Sequence, residues 1–123
     1  MSKERILITG VSSGLGHGLA KSYLEMGAEV YGCSRRSPID LVEMGLNFCD
    51  LDIAQQIESE PKFRAWIQEL KSFDLVILNA GILGKIKDMQ ECSMEELKET
   101  MEVNLWANKW ILDSCFAEGR KIK

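Results

Sequence analysis

The sequence predicts an α/β domain: a parallel sheet about four strands wide, covered by helices on both faces. Three observations predict it. Short runs of consecutive apolar residues alternate along the chain with stretches whose apolar residues recur at helical spacing. Those runs lack the in–out alternation of a half-exposed sheet, as strands buried on both faces do. The first run leads straight into Thr9-Gly10-Val11-Ser12-Ser13-Gly14-Leu15-Gly16, and helical periodicity follows at once.

The elements follow in order. Arg5 to Thr9 reads as a strand. From Gly14 the apolar residues Leu15, Leu19, Tyr23 and Met26 fall at helical spacing, and Gly27 supplies a stop. Ala28 to Cys33 is the second strand, ended by polar Ser-Arg-Arg-Ser-Pro. Residues 39–44 allow a turn of helix, and Leu46 to Cys49 makes a short third strand closed by Asp50. Ser59-Glu60-Pro61 reads as a helix start, because proline is tolerated in a first turn. Phe63, Trp66, Ile67 and Leu70 then form one apolar stripe. Asp74 to Leu78 is the fourth strand. Ser93 with Glu96 forms a capping box that opens a long helix running to about Glu118. The last residues read as the approach to a fifth strand.

Size and charge narrow the function classes. The 123 residues make one domain, and a hydrophobic content of 46% gives it material for a core. A net charge of −4 supports neither a nucleic-acid partner nor a polybasic membrane contact. No apolar run approaches the roughly 20 residues of a membrane span, and the charged start Met-Ser-Lys-Glu-Arg is unlike a signal peptide. Cys33, Cys49, Cys92 and Cys115 form no Cys-x-x-Cys pair, and His17 is the single histidine, so no zinc-site spacing is present. Reduced thiols and a cytoplasmic location are the expectation.

A glycine turn between a strand and a helix is an anion site. The helix start presents unpaired N–H groups and the positive end of its dipole, and glycine admits close backbone approach. Ser12 and Ser13 add hydroxyl donors. Two other readings compete. Gly10-Val11-Ser12-Ser13-Gly14 satisfies the nucleophile elbow of a serine hydrolase. That chemistry needs a histidine base with an acid behind it. His17, on the helix just after the serine, is expected to be exposed with no independent acid. Lys21-Ser22 resembles the end of a phosphate-binding P-loop, but Ala20 stands where that motif needs glycine. The second strand ends Cys33-Ser34-Arg35-Arg36 without a carboxylate. In a dinucleotide fold an acid there would read the ribose hydroxyl of NAD, whereas arginine accommodates the 2′-phosphate of NADP. NADP(H) is therefore expected over NAD(H).

Together these residues resemble the short-chain dehydrogenase/reductase family. Thr9-Gly10-x-x-x-Gly14-x-Gly16 is similar to its glycine motif. Asn79-Ala80-Gly81 is similar to its Asn-Asn-Ala-Gly motif, with Leu78 in place of the first asparagine. Asp50 resembles the aspartate that contacts adenine, and Asn104 the asparagine of its catalytic tetrad. The resemblance covers the whole chain and the N-terminal half of the family. It implies a Rossmann-type doubly wound sheet and hydride transfer between nicotinamide and a small-molecule carbonyl or alcohol. Gly10, Ser12, Ser13, Gly14, Leu15 and Gly16 would hold the diphosphate, and Ser34, Arg35 and Arg36 the 2′-phosphate. Asp50 and Leu51 would border adenine. Asn79, Ala80 and Gly81 would line the ribose near the nicotinamide, and Asn104 would organise a water relay. Self-association through the long helix is a further expectation from the resemblance. Trp106 and Trp110, on a neighbouring stripe of that helix, read as packing or subunit contacts.

The family's Tyr-x-x-x-Lys pair is not in this sequence. Four residues after Tyr23 and Tyr31 stand Gly27 and Arg35. The chain is therefore expected to be the N-terminal portion of a longer reductase, and inactive alone. A natural half-domain that binds NADP without catalysis is the alternative, and a serine hydrolase a more distant one.

Overall fold

The computed structural model describes residues 3–81 and 89–123. Arg5–Thr9 (β1), Glu29–Ser34 (β2), Asn47–Asp50 (β3) and Leu75–Ile77 (β5) form one sheet in the order β3-β2-β1-β5, and every pairing is parallel. Ser72–Phe73 (β4) runs into β5 across Asp74 and pairs in parallel with Lys121–Ile122 (β6), the start of the expected fifth strand. Among the described residues, Leu75–Ile77 pairs only with β1.

The sheet separates two apolar clusters. On one face Gly14–Glu25 (α1) and Ile39–Glu43 (α2) cover Ile6, Ile8, Val11 and Val30. On the other, Gln56–Trp66 (α3) and Ala107–Phe116 (α5) pack over Leu7, Cys33 and Phe73. Consecutive residues of β1 thus serve opposite layers, so the strand shows no polar face. Trp110 is 3% exposed and meets Phe63 edge-on at 5.9 Å, which makes it a packing residue as expected; Trp106 is 45% exposed.

Two elements depart from expectation. The helix α3 begins at Gln56, three residues before Ser59, and carries Pro61 inside it. Ser59 does not cap: it is buried, and its hydroxyl donates to the Asp52 carbonyl at 2.5 Å, tying the helix to the end of β3. The long helix after Ser93 is interrupted. Met94–Met101 (α4) opens with the expected capping box, then Glu102–Trp106 widens into a π turn before α5, which stops at Phe116. Glu118 lies beyond it at φ +58°, outside helical geometry. No helix among the described residues is long and apolar enough to cross a membrane.

Candidate functional site

A cleft of about 760 Å³ opens at the carboxyl ends of β1, β2 and β5. Parallel sheets place their loops there, and the crevice where strand order reverses is the general ligand site of this architecture.

Its floor is the glycine loop, held to the end of β2 and to the residues after β5. Thr9 is fully buried, and its Oγ1 accepts from the N–H groups of Asn79 and Ala80, each at 3.0 Å. Gly10, at φ +76°, donates its N–H to the Cys33 carbonyl at 2.9 Å and accepts from Asn79 Nδ2 at 3.2 Å. A Cβ on Gly16 would stand 2.0 Å from the Gly10 carbonyl oxygen. Gly10 and Gly16 therefore let the loop fold against itself and against β5, while Gly14 supplies a positive φ of +61°. The Asn79 amide is spent on the loop.

The start of α1 remains available to an anion. Ser13 is its N-cap residue but makes no side-chain cap, and the first turn holds no carboxylate. Ser12 and Ser13 line the cleft. Among the described residues neither hydroxyl has a hydrogen-bond partner.

The rim carries Ser34, Arg35 and Arg36. The Ser34 hydroxyl donates to the Arg36 carbonyl at 2.6 Å and folds the loop on itself. Both arginines are exposed, and neither guanidinium is engaged in an ion pair among the described residues. Leu51, Ala80 and Gly81 also line the cleft, and Leu51 is buried. Gly14, Leu15, Gly16, Asp50 and Asn104 are outside its lining. Leu15 is 70% exposed. Asp50 is exposed at the end of β3, opposite Ser34 in the register. Asn104 is exposed in the π turn, yet close to the site: a Cβ on Gly81 would stand 3.0 Å from its Oδ1.

The structure adds residues the sequence reading did not find. Asp52 lines the cleft, and its Oδ1 accepts from the Ala54 N–H at 3.1 Å. An aspartate two residues before a turn was a signal for it. Glu95, Glu99 and Glu102 border the cleft as well. Cys33 lines the floor at 1% exposure, and burial pushes its thiol up to about 12, so it is held as a neutral wall.

The expectation for His17 was wrong. It is half-buried, and an acid does stand behind it: Nε2 lies 2.8 Å from Asp40 Oδ2 on α2. The Ser12 hydroxyl makes no bond to it, so the elbow residues do not assemble a serine–histidine pair.

The sequence pattern of the short chain dehydrogenase family matches residues 4–118. The chain belongs to that family. A similar relative is an uncharacterized oxidoreductase of Mycobacterium tuberculosis, 36% identical over 117 residues, which span 87% of this chain and 46% of that protein. Benzil reductase ((S)-benzoin forming) of Bacillus subtilis is 33% identical over 108 residues, 85% of this chain and 44% of the enzyme. In structure the chain is similar to 4-hydroxyisoleucine dehydrogenase complexed with NADH, at a TM-score of 0.77 and 26% identity over 90% of this chain and 47% of that one. The chain thus spans less than half the length of these relatives. The fold is the family's Rossmann sheet, and family members are oxidoreductases of small molecules that bind NAD(H) or NADP(H).

Proposed function

We propose that residues 1–123 are the nucleotide-binding portion of an NADP(H)-linked oxidoreductase that moves hydride between nicotinamide and a small carbonyl or alcohol. The observation that carries the cofactor choice is the rim: two uncommitted guanidiniums beside Ser34, with no carboxylate on that loop. Arginine forks match a phosphate dianion, and such charge-assisted bonds outweigh neutral ones.

The residues present fit a dinucleotide. The uncapped start of α1 and the unbonded Ser12 and Ser13 hydroxyls suit the diphosphate. Leu51 suits the flat adenine face, with Asp50 at its edge. Ala80 and Gly81 give a side-chain-poor bed for the second ribose, and Asn104 stands beside Gly81 at that end. When bound, the nicotinamide supplies the hydride. The four cysteines, none in a disulfide among the described residues, accord with a cytoplasmic protein, and exposed Met101, Leu105 and Trp106 with a self-associating one.

Titration of the chain with NADPH and NADH tests this reading. The wild type binds NADPH more tightly. Replacing both Arg35 and Arg36 with alanine weakens NADPH at least about tenfold and NADH less than about twofold. Equal loss for both nucleotides would remove the 2′-phosphate assignment. The alternative is a half-domain that binds NADP without turnover. Assay of the complete protein against a panel of carbonyl compounds separates the two.

A further inference from the structure

The His17–Asp40 pair has no part in the cofactor contacts above, yet it joins the two elements that carry them. His17 sits in the first turns of α1, immediately after the glycine loop. Asp40 is the second residue of α2, immediately after the arginine loop. Their 2.8 Å contact ties the two helix starts together across the layer that α1 and α2 share. A carboxylate can only accept, so Nε2 carries the proton and donates. That bond also holds the Asp40 carboxyl below its ordinary value.

The arginine loop is short, and three contacts fix it. At its start the Ser34 hydroxyl holds the Arg36 carbonyl at 2.6 Å. In its middle Pro38 is buried, with its ring fixing one backbone angle. At its end Asp40 is anchored to α1 by His17. The two guanidiniums themselves are exposed and unpaired among the described residues. They therefore project from a backbone held at both ends, which lowers the cost of ordering them around a phosphate.

Resting on the NADP(H) reading, we propose that His17 and Asp40 are specificity-positioning residues: their bond sets the arginine loop against the glycine loop and so favours a nucleotide with a 2′-phosphate. Neither side chain needs to touch the nucleotide. A simple charge effect makes the opposite forecast. Asp40 is an acid four residues from Arg36, so its removal alone would draw a phosphate closer.

The test is calorimetric titration of NADPH and NADH on wild type, His17→Ala, Asp40→Ala, the double variant and Asp40→Asn, with thermal melting as a folding control. A partly exposed pair of this kind is worth a modest factor. Each alanine variant is expected to weaken NADPH about threefold to fivefold and NADH less than about twofold. The double variant falls no further than the singles. Asp40→Asn stays near wild type, because its amide oxygen still accepts from Nε2–H. Without nucleotide, hydrogen exchange of residues 35–41 accelerates in His17→Ala. Tighter NADPH binding by Asp40→Ala, equal loss for the two nucleotides, or unchanged exchange in residues 35–41 overturns the inference. Wild type that binds neither nucleotide overturns the NADP(H) reading and this inference together. Wild type that prefers NADPH while the variants keep that preference overturns this inference alone.

Discussion

The floor of the cleft and its α4 wall line the same cavity but are held by opposite means. The floor is pinned at several points: Thr9 Oγ1 serves the Asn79 and Ala80 N–H groups just past β5, Gly10 is bonded through its N–H to the Cys33 carbonyl and through its own carbonyl to Asn79 Nδ2, and Gly16 lies against the Gly10 carbonyl. The wall has no buried residue anywhere in Met94–Met101. What organises it is the Ser93–Glu96 capping box at one end and, past the π turn, α5 at the other, where Trp110, Ile111 and Cys115 are in the core. A rigid floor beside a lightly anchored wall suits a site that fixes phosphates at one side and admits the rest of a ligand along the other.

Substitutions can break that contrast in graded steps. Gly16→Ala should cost most, at least about 3 kcal/mol in urea unfolding, because its Cβ would fall 2.0 Å from a main-chain oxygen that has nowhere to go. Thr9→Val keeps the shape but leaves the Asn79 and Ala80 N–H groups without their acceptor, for an expected loss of about 2 kcal/mol. The same experiment on the wall, Ser93→Ala, removes the acceptor for the Glu96 N–H and should cost about 1 kcal/mol. If Ser93→Ala proves as damaging as Gly16→Ala, the wall is held as firmly as the floor and the contrast fails.

The floor was also the part most legible in the sequence. Strand, glycine turn and helix follow from local rules: an apolar run, residues that permit positive φ, then apolar spacing of three and four. The capping box was legible for the same reason. The departures come from contacts remote in sequence. Ser59 looked like a helix start because serine favours that position, but its hydroxyl is bonded to Asp52 seven residues back and the helix begins earlier. His17 looked exposed because no neighbour in the chain offered a partner; its partner is Asp40, on the next helix. Glu95 and Glu99 of α4 reach the cleft through tertiary packing alone. Nothing in Glu102–Trp106 distinguishes a π turn from ordinary helix, since the segment holds neither glycine nor proline.

That extra residue acts as a phase shift. Each residue turns an α-helix by about 100°, so the wide turn offsets the face of α4, which borders the cleft through Glu95 and Glu99, from that of α5, which buries Trp110 and Ile111. Asn104 stands inside that turn, beside Gly81 at the edge of the cleft.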